Sequence, residues 1–442
     1  MNAARASDSL HERAREAAAS AAKFLDEAGT QKRPTVVLAD ASDPDSLIRQ
    51  YLETPGDSLR RRILEAGGAQ ASNALTRLQL SRAGLCPPQH APKIPAKFLD
   101  RFGPKLSAWT RFAIVRELVR EPAANHSTEL EVPGQAWPAI EGAWGLGNAL
   151  LDRFGASDAL ADAKRWLDGK RPPLEAPFDA EMSGLVRQAL RSAGLAQESE
   201  IAQPTGFSSG NPFPSVDATA ANLSPSSSGW LASMQSSSGG WAQFDKDQSV
   251  EAIRALPIAN VPHAADVACP GVTGRAMLAL TRSGTDRAAR PIQNGVKFLI
   301  DSQLHDGSWR SVWGGGLVNG TSFALRGLAA AGESDREAHV LRGGEWLRSI
   351  QNADGGWGED SPSTPTHTAW AILGLLAGGD STSSSLGHGV RHLCESQRGA
   401  AWTDPAPAIG GPGFRFRGEQ VYATSHAILA LMEYCNCVEN AQ

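Results

Sequence analysis

No apolar run in this chain approaches the ~20 residues that a membrane-spanning helix needs. Basic residues are not in excess: lysine and arginine total 42 against 47 acidic residues, a formal net charge of −5. Without a basic face the chain has nothing to offer a polyanion, which excludes nucleic acid as the expected partner. Cysteine is sparse. Cys86, Cys269, Cys394, Cys435 and Cys437 form neither a disulfide framework nor a paired C-x-x-C zinc pattern, and they suit a reducing cytosol. The N-terminus, MNAARASDSLHERAREAAASAAKFL, is amphipathic and of mixed charge, so it predicts a helix over 1–25 rather than a secretion leader. The expected location is cytoplasmic, with peripheral membrane contact left open.

What the chain does have is an internal repeat. Four stretches end an amphipathic helix with glutamine and follow it with tryptophan: Gln235 to Trp241, Gln303 to Trp309, Gln351 to Trp357 and, degraded, Gln397 to Trp402. Five residues before each glutamine stands Trp230, Phe298, Trp346 or His392. A glutamine side chain both accepts and donates, so at a helix end it can hold carbonyls there and amides at the start of the next helix. The glycines between let the chain turn sharply. Apolar, small-residue helices follow at GTSFALRGLAAAG from Gly320, TAWAILGLLAGG from Thr368 and ATSHAILALMEY from Ala423. The last three tryptophans are 48 and 45 residues apart, which suits one helical pair per unit, whereas the 68 from Trp241 to Trp309 implies an added loop around 245–270. Repeated helical hairpins stack as a solenoid or close into a ring. With this Gly-Trp turn the expectation is an all-α fold built on a closed α/α toroid.

Three regions follow. Residues 1–25 form a helix packing on the main barrel. Residues 26–178 lack the repeat, alternate short helices with Pro-rich connectors such as GLCPPQHAPKIP, and predict a second, reduced helical domain. Residues 179–442 form the barrel.

On these repeats the chain resembles the class II terpene cyclases related to squalene-hopene and oxidosqualene cyclases. The resemblance is strongest from Trp230 to Leu376, continues to about Tyr434, and reaches weakly back to SAWTR at 107–111. It implies an enzyme that protonates an alkene or epoxide of a linear polyprenyl substrate and templates carbocation cyclisation. The family's acid motif, Asp-x-Asp-Asp-Thr-Ala, matches Ser215-Val216-Asp217-Ala218-Thr219-Ala220. The central acid survives as Asp217, and both flanking carboxylates are replaced. An alkene is so poor a base that only a desolvated, un-ionised acid aimed at it can protonate it. A second family stretch matches Gly271-Val272-Thr273-Gly274-Arg275, implying that Arg275 pairs with Asp217 and stabilises its conjugate base.

The developing cation needs aromatic faces rather than nucleophiles, each worth ~0.5–2 kcal/mol. The family's aromatic positions fall on Phe207, Phe244, Trp313 and Phe414, with Trp109 a further candidate, and an expected tryptophan falls near Glu181 instead. Alternative roles stay open for each: Asp217 as a first-turn helix acid behind Ser215 as N-cap, Arg275 as the partner of another carboxylate, the aromatics as core, and Asp245 and Asp247 as a solvated loop. No metal site is expected. Because no two aspartates are adjacent, the Asp-Asp-x-x-Asp magnesium motif of ionisation-initiated synthases is absent, and magnesium enters only if the substrate carries a diphosphate, held for example by Arg111 and Arg116.

The trimmed first domain points to a C15–C20 isoprenoid or a prenylated compound. A C30 triterpene cyclase and a non-catalytic isoprenoid-binding descendant are the alternatives. A prenyltransferase-like subunit would need a zinc set, for which Asp266 and Cys269 are spaced one residue too far apart.

Overall fold

In the computed structural model the described residues are 2–28, 35–38, 129–131, 177–195, 215–221, 223, 225–244, 246–247, 266–332, 337–359, 362–405, 409–411, 414–417 and 420–440. The helices are α1 (Asn2–Ala28), α2 (Pro177–Ser192), α3 (Val216–Ala221), α4 (Pro225–Ser233), α5 (Pro270–Arg282), α6 (Arg290–Ser302), α7 (Gly316–Ala331), α8 (Glu337–Ser349), α9 (Pro365–Ala377), α10 (Ser384–Ser396) and α11 (Val421–Asn440). Four short strands add a small antiparallel sheet beside this helical fold. They are β1 (Thr35–Leu38), β2 (Glu129–Glu131), β3 (Ile409–Gly411) and β4 (Phe414–Arg417), in the order β2-β1-β4-β3. Most of residues 26–178, and most of the loop around 245–270, lie outside the described residues.

The helices form two concentric rings. The inner ring runs α2, α3, α5, α7, α9, α11 and back to α2, each in contact with the next, while α4, α6, α8, α10 and α1 lie outside it. This is the closed α/α toroid. Its inner helices carry small residues where neighbours meet. A Cβ on Gly274 would run into the Phe323 carbonyl oxygen, one on Gly327 would stand 2.7 Å from Gly274 Cα, and one on Gly374 would stand 2.9 Å from Ser322 Cα. These glycines let the α5, α7 and α9 backbones approach closely and still fill their interfaces.

Three hydrogen bonds recur in all four repeats, and the first three repeats add a fourth inside the turn. Each indole Nε1 donates to a leucine carbonyl near the end of its own outer helix: Trp241 to Leu231, Trp309 to Leu299, Trp357 to Leu347 and Trp402 to Leu393, at 2.6 to 2.8 Å. Each tryptophan amide donates to a buried threonine hydroxyl on the following inner helix: Thr273, Thr321, Thr368 and Thr424, at 2.9 to 3.1 Å. Gln235, Gln303 and Gln351 donate to a glycine carbonyl in their own turns and to a first-turn carbonyl of the next outer helix, at Pro291, His339 and Ser385. The expected bonds to the next helix's amides are thus replaced by bonds to its carbonyls. In α6 the reason is visible, since a proline in its first turn has no N–H to give.

The last glutamine closes the circle. Gln397 Nε2 donates to Ala17 O in α1, 3.0 Å away. From the accepting carbonyl, each outer helix places a small residue four positions on, where the preceding indole presses: Gly295, Gly343 and Gly389 face Trp241, Trp309 and Trp357. In α1 the same offset gives Ala21, buried completely. Lys23-Phe24-Leu25 then repeats the register of Lys297-Phe298-Leu299. The N-terminal helix therefore occupies the fifth outer position, and Leu10, Ala14, Ala18, Ala21, Ala22 and Leu25 join the common core.

Candidate active site

The four buried threonines set one depth around the lumen. Two residues after each stands Arg275, Phe323, Trp370 or His426, one from each of α5, α7, α9 and α11. Their side chains meet from each helix to the next around the ring. The Arg275 guanidinium lies over the Phe323 ring, 4.5 Å from its centroid. Phe323 and Trp370 meet edge to face at 6.4 Å, and Trp370 meets His426 the same way at 5.9 Å. One turn nearer the helix N-termini, Tyr422 stacks at a tilt on His426, ring centroids 4.3 Å apart, while His367 stands edge-on to Trp370 at 5.4 Å. A second guanidinium, Arg326, approaches Phe323 from 5.7 Å and is itself buried, with the part-exposed Glu433 3.4 Å away. Burial lowers the Arg326 pKa, and Glu433 works against that.

Asp217 enters this lumen from the short helix α3. Ser215 caps the helix, its Oγ accepting from Ala218 N at 3.2 Å, as the N-cap reading expects. Gln243, on the loop after Trp241, holds the cap in place: its carbonyl accepts from Val216 N at 2.8 Å, and its Nε2 donates to Ser215 Oγ at 2.9 Å. The Asp217 carboxylate is bound by the neighbouring helix α5 rather than within its own helix. Arg275 Nε donates to Oδ1 at 2.7 Å and one terminal NH2 donates to Oδ2 at 2.6 Å. This fork geometry is the strongest hydrogen bonding a carboxyl group makes. Asp217 is 5 % exposed, shut off from bulk water.

Gly271 explains why no aspartate stands four positions before Arg275. A Cβ there would be 2.7 Å from Asn319 Oδ1 and closer still to Ser311 Oγ. An acidic side chain has no room.

The structure brings Asp217 and Arg275 together, and separately Phe244 and Trp313. The latter pair meet edge to face at 5.2 Å on the loops leading into α5 and α7. Trp313 Nε1 donates to Asp266 Oδ1 at 2.8 Å, and the Asp266 carboxylate also accepts from Gln243 N and Phe244 N. Asp266 is thereby committed to N–H donors, and Cys269 Sγ lies 3.4 Å from Ser311 Oγ. Phe207, Trp109, Arg111, Arg116 and Asp245 lie outside the described residues, as do the side chains of Phe414 and Glu181. Asp247 is a loop carboxylate: it accepts from Ser237 N at 2.6 Å, which lowers its pKa.

Sequence reasoning missed Phe323, Trp370, His426, Tyr422 and His367. A signal was present, because Thr-x-Arg, Thr-x-Phe, Thr-x-Trp and Thr-x-His recur in the inner helices. It was hidden by the variety of the third residue.

Two further groups are tuned by burial. His426 Nδ1 lies 3.1 Å from the Tyr422 carbonyl, and burial, aided by Arg326 and Arg275, pushes its pKa down to about 3. Asp404 accepts from Thr366 N at 3.0 Å and Thr366 Oγ1 at 2.6 Å, tying the turn after Trp402 to the start of α9. Its burial raises the carboxyl pKa to about 7 against those bonds.

The squalene-hopene cyclase C-terminal domain profile matches residues 216–436. A squalene-hopene cyclase from Bradyrhizobium diazoefficiens is 31% identical over 211 residues, covering 44% of this chain and 32% of that protein. The squalene-hopene cyclase of Alicyclobacillus acidocaldarius is 33% identical over 212 residues, covering 44% and 33%. The chain thus spans about a third of the length of the curated relatives it matches. Among solved structures, an ent-copalyl diphosphate synthase from Streptomyces platensis aligns with a TM-score of 0.46 at 16% identity, covering 97% of this chain and 100% of that one. A type II terpene cyclase from Scytonema, in complex with geranylgeranyl dihydroxybenzoate, aligns at 0.42 and 19%, covering 59% and 86%.

Proposed function

Because half of it matches the squalene-hopene cyclase C-terminal domain, the chain belongs to the class II terpene cyclase family, and we propose that it cyclises a linear isoprenoid by protonation. The observation that carries this reading is Asp217: a carboxyl group withdrawn from water, held by a guanidinium, in a lumen walled by aromatic rings. A carboxyl offers about four lone-pair positions, and the fork uses two, so the carboxylate of the resting pair can take up a proton on one of the others before the reaction. Asp217 delivers that hydrogen to the terminal double bond. Arg275 then neutralises the charge left on oxygen, a preorganised interaction that strengthens as the proton departs. Phe323 and Trp370 supply ring faces to the cation without offering it a bond.

The substrate we favour is a C15–C20 chain or a prenylated aromatic, in keeping with the trimmed repeat-free region 26–178, with a C30 polyene as the alternative. In this reading no cofactor takes part unless the substrate brings a diphosphate and its magnesium.

A second reading, an isoprenoid-binding descendant without catalysis, draws on Ser215 and Ala218, which leave the motif a single carboxylate. One experiment separates the two. Purified protein is incubated in deuterated water with farnesyl and geranylgeranyl diphosphates, their alcohols, a geranylgeranylated dihydroxybenzoate and squalene, and the products are read by mass spectrometry. Cyclic product carrying one deuterium, lost in Asp217→Asn while binding persists, supports the cyclase. Binding without turnover across the panel supports the descendant.

A further inference from the structure

A protonation-initiated cyclisation must end, either by water capture or by giving a proton back, and the lumen holds a group fitted for the second. On the reading above, we propose that His426 is the base that ends the cascade, its Nε2 removing a proton from the carbon next to the final cation, so that the product is an olefin.

The tautomer follows from geometry. The atom 3.1 Å from His426 Nδ1 is the Tyr422 carbonyl oxygen, which can only accept. Nδ1 therefore carries the hydrogen, and Nε2 presents a lone pair. The ring is kept uncharged by burial and by Arg326 and Arg275, the cations facing it from α7 and α5. A neutral imidazole with a bare nitrogen accepts protons, and one already charged does not.

Position supports the same role. His426 occupies the Thr+2 place that holds Arg275 in α5, Phe323 in α7 and Trp370 in α9, so it shares their depth in the lumen. The helices α5 and α11 are not neighbours in the ring. The acid Asp217, clamped by Arg275, and the base His426 thus stand at opposite ends of an arc whose middle is Phe323 and Trp370. A chain protonated at one end and cyclised along the aromatic faces finishes its positive charge near the imidazole. Tyr422 and Trp370 hold the ring between them, and His426 is only 2 % exposed, which keeps competing water away.

The step balances without any redox partner. The Asp217 O–H breaks as a C–H forms at the substrate terminus. At the end a C–H next to the cationic carbon breaks, its electron pair becomes the new double bond, and the proton forms N–H on His426 Nε2. The resulting imidazolium, disfavoured by burial, passes its proton to water as product leaves, and Asp217 is reprotonated from solvent.

The test uses the full-length protein and the isoprenoid panel above, comparing wild type with His426→Gln and His426→Phe, each checked for an unchanged fold by circular dichroism. The proposal expects wild type to give a cyclic olefin. A positioned base is worth about 10²-fold or more, so in both variants alcohol or rearranged olefin should replace that product, the ratio of the wild-type olefin to all other products falling by about 10²-fold. An unchanged product ratio in the variants, or an alcohol as the main wild-type product, overturns the base and leaves the cyclase reading standing. A wild type that consumes no member of the panel overturns the cyclase reading and the base with it. A second measurement does not depend on turnover: nitrogen-15 NMR of labelled histidine should show His426 neutral and protonated on Nδ1 near pH 6. A charged ring or the Nε2–H tautomer overturns the proposal.

Discussion

Removing one partner of the Asp217–Arg275 pair tests the site most severely. In Arg275→Leu the Asp217 carboxylate stays buried, in a lumen whose next cation, Arg326, is engaged with Glu433. Breaking a buried pair from one side costs ~3–5 kcal/mol, because a desolvated charge is left without its counter-ion. For a unit the size of this ring each kcal/mol moves the melting temperature by about 2–4 °C, so the variant should melt roughly 6–20 °C below wild type. The double variant Asp217→Leu/Arg275→Leu removes both charges and keeps apolar bulk, and it should recover most of that loss. Turnover should follow a different pattern. Both variants lose it, Arg275→Leu by ~10²–10³-fold through the missing electrostatic stabilisation, and the double variant entirely. Thermal melts by circular dichroism and product assays give both readouts on the same samples. If Arg275→Leu melts within 2 °C of wild type, or the double variant melts lower than the single, the pair is not the buried, mutually dependent unit argued here.

Three other perturbations test the frame. Thr368→Val keeps the shape of the side chain but leaves the buried Trp357 N–H without its acceptor, and should cost ~1–3 kcal/mol in urea unfolding; Thr368→Ser should cost less, and equal losses would refute the hydroxyl's role. Gly389→Ala puts a Cβ 2.6 Å from Trp357 Cζ3 on a rigid, fully buried indole, so overpacking should destabilise by ~1–3 kcal/mol, against the stabilisation that glycine to alanine gives in an open helix. Asp404 has a folded-state pKa raised from 3.8 to about 7 by burial, so the folded chain binds more protons than the unfolded one between those values. Its contribution is complete below the unfolded pKa and is lost as pH rises through about 7. A shift of that size bounds the loss at about 4 kcal/mol; Asp404→Asn should flatten this part of the stability–pH curve, and an unchanged curve would refute the assignment.

Much of the fold was legible because each repeat is a local object. The Trp357 Nε1 to Leu347 bond and the Trp357 N to Thr368 bond span 10 and 11 residues, so a glutamine, a glycine turn, a tryptophan and a threonine at fixed offsets write the hairpin into the chain. Asp217 and the arginine that binds it were also readable, through their place in a recognisable motif. Less legible was α1. Its Lys23-Phe24-Leu25 matches the outer-helix register, but no Gln-Trp turn follows it to announce a fifth unit.

The sequence by itself determined the hairpins, their turns and the residue types available to the lumen, since those depend on contacts within one repeat. Closure of the ring was decided only in three dimensions, by a glutamine reaching 380 residues back to Ala17. So was the meeting of Arg275, Phe323, Trp370 and His426: each is an unremarkable position on its own helix, and only helices curving back on themselves point all four inward. The same closure withdraws Asp217 from water and sets it against a guanidinium 58 residues away. Burial and long-range pairing belong to the whole ring and to no segment of it.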